Sequence, residues 1–314
     1  MNAEEIELRK IAKFVNTMAE TGLGTDYCLE EGCLPLKVHF YSPVPDIKDL
    51  DRRQVWEKVS PLRGLRMKPE AQIKILSEMT QRFSGECVWP LNETLSAHEY
   101  HIKNSCFSFQ CASLLHYMVR YYRPKRIIEA GSGYSSRIIN AALARNRAEG
   151  NPCHYRIVDP YPSETTRTLP NLSDIKICKI EETSEALFSE LESGDILFVD
   201  SGHVVKVGSD VNFLILDILP LLKPGVVIHF HDIAMPAEYA RVYYTNPAFR
   251  VLWTESYLLQ AFLACNDEFE ILCASAYLAN HHPKEWAGFF PADPKISGTG
   301  SFWMRRVSEA APMA

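Results

Sequence analysis

From Ile127 onward, short and nearly uninterrupted apolar runs alternate with longer stretches whose apolar residues recur every three or four positions. The runs are IIEA at 127–130, HYRIVD at 154–159, IKICKI at 175–180, DILFVD at 195–200 and VVIHFH at 226–231. Runs of this length, rich in β-branched side chains, predict strands buried on both faces. The clearest helical stretch between them places Val211, Leu214, Ile215, Ile218, Leu219 and Leu222 on one face and closes at Lys223-Pro224-Gly225. A helix is predicted from Glu255 (ESYLLQAFLACN), a sixth strand in FEILCASAYL and a last strand in GSFWMRR. Strands alternating with helices predict an α/β fold, a mostly parallel sheet with helices on both faces.

Upstream the pattern is different. Ile6, Ile11, Phe14, Val15 and Met18 fall at helical spacing until Thr21-Gly22-Leu23-Gly24 breaks it. Leu36, Val38 and Phe40 alternate and then meet Pro43 and Pro45, which predicts a short strand or extended segment followed by a turn. A helix is expected to begin near Asp49, and another at Pro69, continued by Ile73, Leu76, Thr80 and Phe83. Residues 84–105 have no period and read as a long loop. The apolar helix FSFQCASLLHYMVRYY then leads into the first strand. This predicts a mainly helical N-terminal cap or accessory region at 1–105, a sheet domain at 106–308 and a frayed tail at 309–314.

Composition adds mostly exclusions. With 46% hydrophobic and 23% charged residues, the 314-residue chain is an ordinary globular sequence, and its net charge of -6 gives no general attraction to nucleic acid or anionic membrane. None of the nine cysteines forms a CxxC pair, so reduced thiols are expected. The opening MNAEEIELRKIAKF lacks the apolar core of a secretion leader and no apolar run is long enough to span a bilayer, so a cytoplasmic protein is expected.

The first strand runs into Gly131-Ser132-Gly133, and IINAALARN follows as a helix. A strand that ends in a glycine turn at a helix N-terminus directs backbone N–H groups and the helix dipole towards a ligand. The third glycine of a dinucleotide fingerprint is replaced here by Ser136, and the glycine pair alone chooses no ligand. Asp159, ending the second strand, could accept hydrogen bonds from ribose hydroxyls of NAD or of S-adenosylmethionine. Glu129 favours the second, because a carboxylate sits better beside a sulfonium ligand with a free amino group than beside a pyrophosphate.

These residues resemble the class I S-adenosylmethionine-dependent methyltransferases. The resemblance covers roughly Phe107 to Arg305. It is carried by EAGSGYSS at 129–136, Asp159, Glu181-Glu182 after the third strand, GDILFVD at 194–200 and LLKPGVVI at 221–228. The segments DSGHVVKVGSD, HFHDI and GSFWMRR, with YSPVPDI upstream, are similar to a bacterial small-molecule methyltransferase-like branch. The resemblance implies a Rossmann-like, seven-stranded, mostly parallel sheet with a last antiparallel strand. It also implies S-adenosyl-L-methionine held by Glu129, Gly131, Ser132, Gly133, Ser135, Asp159, Glu181, Glu182, Asp200 and Ser201, with the glycines near the methionine part, Asp159 on the ribose and Glu181 or Glu182 near the adenine.

Methyl transfer from a sulfonium is an in-line displacement that, for a hydroxyl acceptor, also removes a proton. Asp200, His203, His229, His231 and Asp232 cluster at the predicted ends of the fourth and fifth strands, where neighbouring side chains can converge. The arrangement resembles the metal-dependent catechol-type O-methyltransferases, which implies Asp200, His231 and Asp232 as ligands of a divalent metal ion and His203, beside Asp200, as general base. The family has lysine at the place of His203 and a carboxylate at that of His231, so this donor set suits manganese, iron or zinc better than magnesium. His229 reads as a satisfied buried histidine. Lys206 and Asp210 read as a solvated helix start, Trp253 and Tyr257 as core or interface residues, and Tyr100, His101 and Asn104 as loop residues that could line an acceptor pocket.

The expected enzyme is therefore an O-methyltransferase for a small-molecule acceptor, with a homodimer as the expected assembly and no nucleic-acid or membrane partner. Two alternatives stand beside it. One is a NAD(P)-dependent oxidoreductase, against which the missing third glycine counts. The other is a non-catalytic binding protein of the same fold, against which the polar groups at the strand ends count.

Overall fold

The computed structural model describes residues 2–248, 250–294 and 298–307, so the expected tail at 309–314 lies outside the described residues. The chain divides into two units, residues 1–58 with 238–252 and residues 59–237 with 253–314.

In the first unit, Asn2 caps the helix Ala3–Thr21 by accepting from the Glu5 N–H at 2.7 Å, and Gly22 ends it in the left-handed conformation. The predicted helix near Asp49 is Ile47–Arg52, with Asp46 as its cap. The segment carrying Leu36, Val38 and Phe40 forms no strand: it has no neighbouring strand to pair with, and all three side chains are exposed. Segment 238–252 joins this unit through Arg241, whose Nε and Nη2 each lie 2.8 Å from the Asp51 carboxylate, and through Tyr244 against Trp56.

The second unit is built on a seven-stranded sheet. Its strands are β1 (Arg126–Ala130), β2 (His154–Val158), β3 (Asp174–Lys176), β4 (Ile196–Val199), β5 (Val227–Phe230), β6 (Phe269–Ala274) and β7 (Phe302–Arg306). Their order is β3-β2-β1-β4-β5-β7-β6, with β7 antiparallel to both neighbours and the other pairs parallel. The apolar runs are explained by burial on both faces. Ile127, Ile196 and Val227 pack on one side with helices Pro69–Phe83, Phe109–Tyr122 and Tyr134–Ala148, while Ile128, Leu197 and Ile228 pack on the other with Leu214, Ile218 and Leu259. The third strand is only three residues long, because beyond Lys176 the chain leaves β2 and turns at Ile180–Glu182. The single helix predicted at 211–222 breaks into a short α-turn, a π-turn at Phe213–Ile218 and a 3₁₀ turn, where Pro220 removes a backbone donor.

The expected boundary at residue 105 falls instead at 58/59. Helix Pro69–Phe83 packs on Phe109–Tyr122 and β6, and Glu86 accepts from His116 Nε2 at 2.8 Å and Arg120 Nε at 2.9 Å. Burial alone would raise the Glu86 carboxyl, but these two donors bring it down to about 2. Residues 59–105 thus belong to the sheet unit. Among the described residues no helix is long and apolar enough to cross a membrane.

Candidate active site

The glycine turn closes on its neighbours from both sides. Gly131 N donates to Val158 O at 3.0 Å, Asp200 N donates to Ala130 O at 2.9 Å, and Gly131 has φ +82°. A Cβ on Gly131 would sit 1.9 Å from the Asp200 carbonyl oxygen, so the glycine is what lets the ends of β1 and β4 touch. Gly133 caps the helix Tyr134–Ala148 from an extended backbone with open space on its Cβ side.

Glu129 is enclosed by its neighbours. It is fully buried and accepts from Ser135 Oγ at 2.7 Å, Ser136 Oγ at 2.9 Å and the Tyr155 hydroxyl. Burial raises its carboxyl to about 7 against the pull of those three donors. The carboxylate is the post to which the first turn of the helix is tied. Asp159 lies beside the turn and accepts from Ser132 Oγ and, at 2.7 Å, from Tyr161 N. Glu181 is half-buried, and exposed Glu182 accepts from the Lys179 N–H at 3.2 Å.

A cleft of about 350 Å³ opens in front of the turn, lined by Ser132, Gly133 and Ser135 on one side and by Phe107, Ser163 and Asp200 on others. Its volume lies within the range of roughly 300–1,000 Å³ usual for small-molecule sites. Phe107 is held over it by a loop in which Tyr100 Oη donates to Phe107 O at 2.7 Å and Asn104 bonds both the N–H and the carbonyl of Phe107. Of the loop residues read as pocket candidates, Tyr100 and Asn104 therefore shape the wall. The ring of buried His101 lies edge-on to Tyr134 at 5.2 Å.

Asp200 also belongs to a second arrangement. His203 Nε2 lies 3.4 Å from Asp200 Oδ1 and 3.8 Å from Asp232 Oδ2, and one ligand atom from each of the three residues lies within 4.8 Å of the others. His203 and Asp232 both take left-handed backbone conformations, which turn their side chains back over the strand ends. Behind His203 stands Glu255, fully buried, with Oε2 2.7 Å from His203 Nδ1. The N–H groups of Thr254 and Glu255 also hold the His203 carbonyl at 2.9 and 3.1 Å, so the start of one helix fixes both backbone and ring. Asp210, read as a solvated helix start, accepts from Gly202 N and pins the same loop.

Burial disfavours a charged His203, but Asp200 and Glu255 outweigh it and hold the imidazole well above its usual range. Burial likewise works against ionised Asp200, yet the neighbouring histidines bring its carboxyl down to about 2. His231 stands outside the three-residue group. Its ring stacks on Phe107 at 4.6 Å, and its Nε2 is 3.7 Å from Asp232 Oδ1. The group that could hold a metal ion is thus Asp200, His203 and Asp232, and His231, expected as a ligand with Asp200 and Asp232, lies beside it. His229 is buried as expected but not satisfied: neither ring nitrogen has a hydrogen-bond partner, and the ring stacks on Phe198 at 4.1 Å.

Three side chains were not singled out from the sequence. Glu255 carried only the weak signal of an acid at a helix start between Trp253 and Tyr257, and Tyr155 and Arg137 carried none. Trp253 proves to face the site, with its ring centroid 4.7 Å from that of His203.

The donor set fits a divalent cation. Two carboxylates and a histidine whose other nitrogen is held by a buried carboxylate form a familiar ligand arrangement, and Ser201 Oγ, His231 Nδ1 and Glu255 Oε1 are buried nearby without partners. The cleft fits a nucleoside-sized cofactor at a turn where no Cβ intrudes.

Residues 128–233 match the family model described as a methyltransferase domain. A protein of Archaeoglobus fulgidus described only as uncharacterised is 30% identical over 136 residues, 41% of this chain and 59% of that protein, so the match spans about three-fifths of the relative. Among solved structures, apo CmcI is similar at 16% identity and a TM-score of 0.37, covering 63% of this chain and 71% of that one. CmcI with Mg and SAM is similar at 17% and 0.35, covering 63% and 72%. The matched stretch contains β1, the glycine turn, β4 and β5, and the sheet has the expected antiparallel β7.

Proposed function

We propose that this chain, whose sheet is that of the class I S-adenosylmethionine-dependent methyltransferases, transfers a methyl group to a hydroxyl oxygen of a small molecule. The observation that carries the reading is the double position of Asp200. It walls the cleft beside the glycine turn and is also one of the three side chains of the Asp200/His203/Asp232 group. An in-line displacement requires the acceptor oxygen to be held next to the methyl donor, and this is the place where the two subsites meet.

Bound S-adenosylmethionine would supply the methyl group, its C–S bond breaking as the O–C bond forms, with S-adenosylhomocysteine leaving and the acceptor's proton passing to solvent water. Asp159 holds the ribose, the turn at Ser132–Gly133 lies along the methionine side, and Phe107 covers the cleft against water. Asp200, His203 and Asp232 would hold a divalent cation, which lowers the pKa of an adjacent hydroxyl. Glu255 keeps Nδ1 of His203 protonated and so turns Nε2 towards the two aspartates. The general-base role expected for His203 and a role as ligand would both use the Nε2 lone pair, and with Nδ1 held by Glu255 and Nε2 beside Asp200 and Asp232 the geometry favours the ligand role.

The test is transfer from methyl-labelled S-adenosylmethionine to a panel of small hydroxyl compounds, with Mn²⁺ and with chelator. O-methylated product that depends on Mn²⁺ and is lost in His203→Ala supports the reading. Full activity in chelator removes the cation, and label found only on nitrogen removes the hydroxyl acceptor.

A further inference from the structure

The cleft contains one cation and one anion, Arg137 and Asp200. The arginines that anchor the sheet and its helices, Arg120, Arg156, Arg305 and Arg306, each pair with a carboxylate. Arg137 instead donates from Nη1 to the Glu99 carbonyl at 3.0 Å, and its guanidinium carbon lies 4.6 Å from the centre of the Tyr134 ring. The stack and the single hydrogen bond fix the plane of a half-buried guanidinium that has five N–H donors. The cleft's serines are already engaged, Ser132 with Asp159, Ser135 with Glu129, and Ser163 with the Thr166 N–H at 3.1 Å. Any carboxylate drawn into the cleft from water must recover its lost hydration from a donor, and Arg137 is the cationic side chain with donors to give.

We propose that Arg137 is the carboxylate receptor of this cleft and binds the α-carboxylate at the amino-acid end of the cofactor. The inference rests on S-adenosylmethionine being that cofactor. The amino-acid end carries a carboxylate and an ammonium, and Arg137 and Asp200 present the opposite charges on one cleft. Arg137 is then a residue that selects the complete cofactor over its nucleoside fragment.

Two ligands separate the possibilities in calorimetric titration: S-adenosylhomocysteine, and 5′-methylthioadenosine, which keeps the nucleoside and sulfur but lacks the amino-acid end. Arg137→Gln is expected to weaken S-adenosylhomocysteine by about 10- to 100-fold and to leave methylthioadenosine unchanged. Arg137→Lys, which keeps the charge without the fork, should fall between and serves as the second variant if the first does not fold. Unchanged affinity for S-adenosylhomocysteine in Arg137→Gln overturns the assignment, as does equal weakening of both ligands, which marks a structural role. Failure of the wild-type protein to bind S-adenosylhomocysteine overturns the functional reading itself.

Discussion

Replacing Gly131 by alanine tests the claim that the cofactor turn is shaped by contact between two strand ends. The new Cβ would lie 1.9 Å from the Asp200 carbonyl oxygen, where ordinary contact begins at 3.4 Å, so the carbonyl must retreat by about 1.5 Å (3.4 minus 1.9). The residue would also stay at φ +82°, a left-handed conformation that costs a non-glycine residue roughly 1–2 kcal/mol. Moving Asp200 strains its N–H bond to Ala130, 2.9 Å long, worth about another 1 kcal/mol. The sum is roughly 2–3 kcal/mol, or about 4–12 °C in Tm for a domain of this size. Gly133→Ala is the control: its Cβ meets nothing within 4 Å, so Tm should hold while affinity for S-adenosylhomocysteine falls. Thermal unfolding and calorimetric titration of the two variants read both effects. An unchanged Tm in Gly131→Ala would refute the close-approach argument.

Glu255→Gln should weaken Mn²⁺ binding by about 10- to 100-fold while the protein stays folded, measured by calorimetry; unchanged affinity would show that the Glu255–His203 bond positions nothing. The raised Glu129 carboxyl gives a pH signature. An acid at about 7 in the folded chain and near 4.5 unfolded favours folding below pH 4.5 and loses that advantage as pH rises towards 7. Between pH 5 and pH 8 this one group should cost the wild type about 2.5 kcal/mol that Glu129→Gln does not lose. Urea unfolding of both proteins at the two pH values measures the difference, and parallel pH dependence would contradict it. Asp159→Ala should abolish binding of S-adenosylhomocysteine, because the ribose ligand and the anchor of Ser132 are lost together; retained affinity would remove Asp159 from the site.

The core strands were legible because burial on both faces leaves a plain mark, a continuous apolar run such as Ile196–Val199. Asp200, His203 and Asp232 were legible as neighbours because side chains at the ends of adjacent parallel strands can converge. The direction of each side chain was not. A left-handed backbone at His203 and Asp232 rotates them towards each other and leaves His231 stacked on Phe107, and no periodicity records such a turn. The partners of Glu129 were hidden for a related reason. Its place in the chain suggests a ligand contact, whereas its environment is made by Tyr155, Ser135 and Ser136, which only the folded sheet brings together. Glu255 acts on a residue 52 positions away, and Glu86 ties 59–105 to the sheet through partners 30 and 34 positions on. Long-range polar pairs of this kind have no local signature.

The central claim is that the cleft in front of Gly131-Ser132-Gly133 receives an S-adenosyl cofactor. Parallel calorimetric titrations of the wild-type protein with S-adenosylhomocysteine and with NADH test it most directly. The account predicts saturable one-site binding of S-adenosylhomocysteine and no heat from NADH. Binding of NADH with no response to S-adenosylhomocysteine would contradict it.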